Sequence, residues 1–248
     1  VETSPRLTEI QKKTLAGAPA MPDWHESVDK LAKTPLLIVG NELFDAIPSR
    51  QFVRTEKGWR ERMIGLDDDD RLSFFAGAAS LDPSLLPADA ADAPLGAVIE
   101  LSPARSALMT SIAERIASNS GAGLFIDYGY LRPGVGDTLQ ALREHRHEDV
   151  LASPGEADLT THVDFPALAS AARALGLDAH TTTQGSFLLD MGLLERAGQL
   201  GAGASQTIRE KITGEVERLA GQQAMGELFK VLAVMPSGVP IAPFLSTD

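Results

Sequence analysis

Residues 36–39 are four consecutive aliphatic side chains, LLIV, fenced by Pro35 and Gly40. A run this short and unbroken offers no polar face to water. It therefore predicts a strand covered on both sides, as in a parallel sheet held between helix layers. The signature returns at residues 123–127, GLFID. Both runs end on polar side chains, Asn41 and Glu42 after the first and Asp127 after the second.

Helical signals alternate with these strands. Ser4 suits an N-cap and Pro5 the first helical position, and Leu7, Ile10 and Leu15 follow at helical spacing. Val1 and Glu2 read as the end of a preceding strand. A short polar helix is expected over 27–33, a strand over 97–101, and a helix opening at Ser102 and Pro103. Residues 138–145 predict a helical turn or two. A helix over 165–175 is stopped by Gly176, with strands at 177–181 and 186–189 beyond it. Helices over 193–200 and 206–219 and a closing strand over 229–234 complete the chain. Segments 51–54, 59–64 and 71–75 have the texture of short strands joined by turns at 56–58 and 67–70, a β-hairpin insertion. The alternation predicts an α/β fold with a mainly parallel sheet. Residues 1–50 and 97–248 are assigned to the core and residues 51–96 to the β-rich insertion.

Charge and composition remove several function classes. The 248 residues hold 22 Lys plus Arg against 34 Asp plus Glu, a formal charge of -12. With no concentrated basic patch, such a chain repels nucleic acid and anionic lipid, and a basic protein segment fits it better. There is no Cys, which excludes disulfides, thiolate metal sites and a Cys nucleophile. No apolar run approaches a membrane span. GxSxG, P-loop, HExxH and GxGxxG motifs are all missing. His145 and His147 invite a metal reading, but no third ligand has suitable spacing, so a solvated surface and no metal is expected. Residues 67–70, four aspartates, lack the Gly and distal Glu of an EF-hand and read as a solvated hairpin tip.

In open α/β sheets, ligands bind outside the carboxyl ends of the strands. Three expected strands end there in acids. Glu2 suits hydrogen bonds to ribose hydroxyls, or it is a surface Glu favoured by a helix dipole. Asn41 and Glu42 combine amide donors with a carboxylate and can orient an amine or guanidinium; Asn41 can also cap a helix starting at Glu42. Asp127 with Tyr128 can position a cation by charge and aromatic face, or Asp127 pairs with Arg132. Asp164 is a plausible N-cap, and His162 beside it is the minority candidate for a proton carrier.

Taken in order, VETSPRLTEIQ, Trp24-His25, LLIVGNELFDAIPSRQFV, GWRER, VIELSPA, LFIDYGY, RPGVGDTLQA, SPGEADLTTHVDF, TQGSFLLDMG and FKVLAV resemble the MidA family of class I S-adenosylmethionine-dependent methyltransferases across essentially the whole chain. The resemblance implies a Rossmann-like sheet with S-adenosylmethionine as cofactor. It also implies N-methylation of a protein arginine, with a respiratory complex I subunit as the expected partner. It implies Glu2, Asn41 and Glu42 at the cofactor, Asp45, Asp127 and Tyr128 at the substrate, and Glu42, Asp127 and His162 in the chemistry, with Glu42 foremost. Bacterial members imply the cytoplasm and eukaryotic ones the mitochondrial matrix; a homodimer stays open. The family's first strand and a glycine loop resembling ELGPGRG would precede Val1, so the resemblance implies a fragment that binds cofactor poorly. Two other readings remain: methylation of a lysine or a small molecule, and a non-catalytic assembly factor.

Overall fold

The computed structural model describes residues 1–144 and 146–244. Ser4 accepts from the Leu7 N–H and opens α1 (Pro5–Thr14), and a single 3-10 turn (Val28–Lys30) leads to β1 (Leu36–Asn41). Four strands follow, β2 (Arg50–Thr55), β3 (Gly58–Leu66), β4 (Leu72–Ser80) and β5 (Val98–Leu101). Ser102 caps α2 (Pro103–Asn119), which feeds β6 (Gly121–Tyr130). Short strands β7 (Gln140–Arg143), β8 (Arg146–Glu148), β9 (Asp158–Thr160) and β10 (Val163–Asp164) come before α3 (Phe165–Arg173). The chain continues through β11 (Leu177–Thr183), α4 (Gln184–Asp190), α5 (Leu193–Gly201), α6 (Gln206–Ala220), α7 (Met225–Leu228) and β12 (Phe229–Pro236).

The central sheet runs β1-β6-β12-β11, with the two residues of β10 added beside the end of β6. β1 and β10 pair with β6 in parallel, whereas β12 is antiparallel to both β6 and β11. The sheet is thus more mixed than the sequence predicts, because β12 enters between β6 and β11 in the reverse sense. One face carries the main core: Met109, Ile112, Ala113 and Ile116 of α2 and Phe165, Leu168, Ala169 and Ala172 of α3 pack on Phe125, Leu232 and Val234. β12 is buried over seven consecutive residues, all apolar except Lys230, whose ammonium donates to the carbonyls of Glu227 and Leu228. A second, antiparallel sheet, β4-β3-β2-β5, has its own core of Phe52, Trp59, Leu81, Ala90 and Ile99. A third and smaller sheet is β8-β7-β9.

Several expectations are corrected. Within the described residues β1 is the outer strand of the sheet, and Leu37 and Val39 are 88% and 74% exposed while Leu36 and Ile38 turn inward. Val1 and Glu2 are not in a strand; the Glu2 N–H donates to the His25 carbonyl at 2.9 Å. The helix expected at 27–33 shrinks to one 3-10 turn. Residues 140–143 form β7 rather than helix because β8 and β9 supply backbone partners on both sides; His145 of that expectation lies outside the described residues. Residues 186–189 are helical within α4, since Thr183 caps the Ser186 N–H.

These burial differences set a stability contrast. Leu168→Ala removes a side chain 1% exposed in the main core and is expected to cost about 2–5 kcal/mol. Leu37→Ala is expected to change stability by no more than about 0.5 kcal/mol. Urea denaturation of the two variants checks both, and a large loss at Leu37 would contradict the edge assignment.

Candidate active site

The site begins where β1 ends. Parallel pairing sets Asn41 opposite Ile126, and the Glu42 N–H donates to the Ile126 carbonyl at 2.9 Å. Glu42 has φ 49, a left-handed conformation that a side chain adopts at a cost and that is held only by its surroundings. The turn at Glu42 breaks the strand and leaves two polar side chains exposed at its tip. Asn41 Nδ2 donates to Glu42 Oε1 at 3.0 Å, and both residues face solvent. Asn41 caps no helix, because residues 42–48 form turns.

The loop beyond Glu42 is gripped between two buried charges. Asp127, fully buried at 0% exposure, accepts from the Phe44 and Asp45 N–H groups at 2.9 and 3.3 Å and from the Tyr128 N–H at 2.9 Å. Arg105 of α2 is 4% exposed. Its Nε donates to the Phe44 carbonyl at 2.7 Å and its Nη2 to the Asp45 carbonyl at 2.8 Å. The same guanidinium reaches the carbonyls of Thr161 and His162 and the Thr161 hydroxyl. The peptide group joining Phe44 to Asp45 therefore points its N–H at the carboxylate and its C=O at the guanidinium. Backbone dipoles take the place of water around both ions.

The side chain of the gripped residue faces a cleft. Asp45 Oδ2 accepts from the Tyr128 hydroxyl at 2.6 Å, and the Tyr128 ring meets His162 edge-on at 5.7 Å. The cleft, about 440 Å³, runs from Asp45 along residues 46–51 and is closed by Arg62, Ile64 and Phe74 of the second sheet and by Leu139, Leu159 and Thr160. His162 itself lines a neighbouring cavity of about 250 Å³ with Glu100, Tyr130 and Asp164. Glu100 accepts from Gln51 Nε2, the Thr138 N–H and the Thr138 hydroxyl, and Thr138 in turn accepts from the His162 N–H at 2.9 Å. Burial holds the His162 imidazole below its ordinary range and raises the carboxyls of Asp127, to about 7, and of Asp164.

Most of the expected residues converge here, in altered roles. Asn41 and Glu42 are exposed at the strand end, and Asp45, Tyr128 and His162 are linked behind them. Asp127 is not a substrate contact: no edge of it is open, and its oxygens are taken by backbone donors. Neither is it paired with Arg132, which is exposed; Arg105 is the charge across from it. Asp164 is the N-cap of α3, accepting from the Ala167 N–H at 2.9 Å. Glu2 stands in a separate cluster, accepting from the Ser4 N–H and from Gln11, which is itself held by Trp24; these bonds keep its carboxyl below the ordinary range. Sequence reasoning missed Arg105, Glu100 and Thr138. Arg105 carried a signal, since a cation in the first turn of a helix opposes the dipole and needs another reason to be there.

This mixed sheet with a polar tip at the end of β1 is consistent with a class I methyltransferase fold. Residues 1–183 match the family described as "Putative S-adenosyl-L-methionine-dependent methyltransferase", and the chain belongs to that family. Among curated relatives, the human mitochondrial protein arginine methyltransferase NDUFAF7 is 30% identical over 261 residues, covering 95% of this chain and 58% of the relative. Its zebrafish (Danio rerio) counterpart is 29% identical, covering 95% of this chain and 60% of the relative. The chain thus spans under two thirds of the length of these relatives. A Burkholderia thailandensis protein crystallised with S-adenosyl-homocysteine superposes with TM-score 0.81 at 29% identity, covering 99% of this chain and 66% of that one.

Two outcomes test the buried clamp. Arg105→Met strands several carbonyls and leaves Asp127 without a counter-charge, so a loss of about 3–5 kcal/mol in urea denaturation is expected; a loss below about 1 kcal/mol would show that the guanidinium contributes only packing. Asp127 binds its proton more tightly folded than unfolded. Its contribution to stability is therefore full below the ordinary carboxyl range and is lost as pH rises toward about 7. Denaturation midpoints measured across that window should show the decline, and Asp127→Asn should flatten it.

Proposed function

We propose that the full-length protein is an S-adenosylmethionine-dependent methyltransferase acting on a guanidinium nitrogen of a protein arginine. The observation that carries this reading is the exposed Asn41–Glu42 pair at the carboxyl end of a parallel strand, with Glu42 held in a left-handed turn. Family membership supports the cofactor, and the names of the curated relatives support the arginine acceptor. Residues 1–50 and 97–248 form the catalytic core in this reading, and residues 51–96 the β-rich insertion, to which β5 lends a fourth strand from across that boundary.

The residues present fit the cofactor. Glu2 keeps a second lone pair on each carboxylate oxygen for ribose hydroxyls, and Asn41 and Glu42 offer donors and acceptors to the methionine end. When bound, the cofactor supplies a sulfonium-activated methyl group, so the protein's task is orientation and control of charge. Glu42 accepts hydrogen bonds from the acceptor guanidinium and concentrates lone-pair density on the attacking nitrogen. On being methylated, that nitrogen would have to shed a proton. Glu42 accepts it, and His162, kept neutral by burial, is the second acceptor. Asp45, fixed by Tyr128, presents a second carboxylate at the end of the cleft, on the side of the bound cation.

The test is methyl transfer from labelled S-adenosylmethionine to an arginine-bearing protein. Glu42→Gln should lower kcat on the order of a hundredfold. Unchanged turnover in that variant removes Glu42 from the mechanism, and label appearing on lysine instead of arginine removes the acceptor assignment.

A further inference from the structure

We propose that the open face of the β3–β4 hairpin docks the methyl-acceptor protein as an extended basic segment, delivering its arginine into the cleft that ends at Asp45. This rests on the methyltransferase reading above and specifies how its substrate is recognised.

Register fixes the two faces of the hairpin. Arg62 pairs with Ala76, Ile64 with Phe74 and Leu66 with Leu72, and strand alternation puts these six side chains on one face. Arg62, Ile64 and Phe74 line the cleft, so the same face runs outward from it to Leu66 and Leu72. Ile64, Leu66 and Leu72 are 54%, 60% and 40% exposed. On the opposite face Phe75 lies against Gly65 and Met63 against Gly77, and these two side chains are themselves 45% and 50% exposed. The face of Ile64, Leu66 and Leu72 is the one continuous with the cleft, and a contiguous exposed apolar strip marks a binding surface.

Charge selects the occupant. The strip ends at the hairpin tip, residues 67–70, where Asp68 and Asp70 are exposed and Asp69 is paired with Arg71 at 2.6 Å. At its inner end stands the Asp45 carboxylate, aligned by Tyr128. Along the way Arg62 is neutralised by Asp137 at 2.6 Å and stacked on Phe74 at 3.7 Å, and Arg50 by Glu61 at 2.7 Å. The two arginines of the cleft thus carry their own counter-charges and do not repel a cation. A second copy of the chain, at formal charge -12, would bring like charge against the acidic tip. An extended segment with apolar residues beside an arginine satisfies both the strip and the acids at its two ends.

The experiment uses the full-length protein and a fluorescein-labelled synthetic peptide carrying one arginine flanked by leucines and lysines. Anisotropy titration should show binding weakened about tenfold, or about 1.4 kcal/mol, by Leu66→Ser with Leu72→Ser, and weakened similarly by Asp68→Asn with Asp70→Asn. Replacing the flanking leucines by serines should have the same effect. Calorimetry with S-adenosyl-homocysteine, run on every variant, keeps the two readings apart. Variants that bind the cofactor product normally and the peptide as tightly as the parent protein overturn the docking face alone. A parent protein that binds no S-adenosyl-homocysteine overturns the methyltransferase reading, while the peptide titration still decides the face. Sedimentation that reveals a dimer dispersed by Leu66→Ser assigns the strip to a second copy and also overturns the proposal.

Discussion

The peptide group between Phe44 and Asp45, held at its N–H by Asp127 and at its C=O by Arg105, is the contact on which the geometry of the site depends. A buried carboxylate and a buried guanidinium each carry a solvation cost of several kcal/mol. Neither touches the other; both are solvated by the same stretch of backbone. The loop they hold has no helix or strand of its own over residues 42–48. Its shape comes from a helix on one side and the sheet on the other, and everything it carries inherits that shape: the left-handed Glu42 at its start and the Asp45 carboxylate at its centre.

The same guanidinium draws in a second loop. β10 reaches the end of β6 because Gly129 has no Cβ; one built there would stand 2.1 Å from the Val163 carbonyl oxygen. That close approach brings the carbonyls of Thr161 and His162 within reach of Arg105. Three stretches far apart in sequence, residues 44–45, 105 and 161–162, thereby meet at one side chain. The Thr138 bridge from Glu100 to the His162 N–H ties this knot to the second sheet through Gln51. The floor of the cleft and its far wall are thus parts of one hydrogen-bonded network.

Local pattern made much of this legible. Apolar runs located β1, β6 and β12, the Ser-Pro and Asp signals located the starts of α1, α2 and α3, and the strand ends pointed to Asn41 and Glu42. What the sequence could not carry was which strand is the edge, since LLIV reads the same whether both faces are covered or one. Residues 140–143 are good helix formers, yet backbone partners from β8 and β9 outweighed propensity. Phe187-Leu188-Leu189 is too short a run to separate helix from strand by periodicity, and the Thr183 cap decided it. Asp127 reads in the sequence as a carboxylate at a strand end, but its burial as a scaffold residue rests on the N–H groups of Phe44 and Asp45, which the fold brings to it from more than eighty residues away and no local pattern announces.

A crystal structure of the full-length protein with S-adenosyl-homocysteine bound tests the central claim most directly. The account predicts the homocysteine sulfur beside Asn41 and Glu42, the ribose hydroxyls on Glu2, and the Phe44–Asp45 peptide still spanning Arg105 and Asp127. Density for the ligand elsewhere, with the Asn41–Glu42 pair untouched, would contradict it.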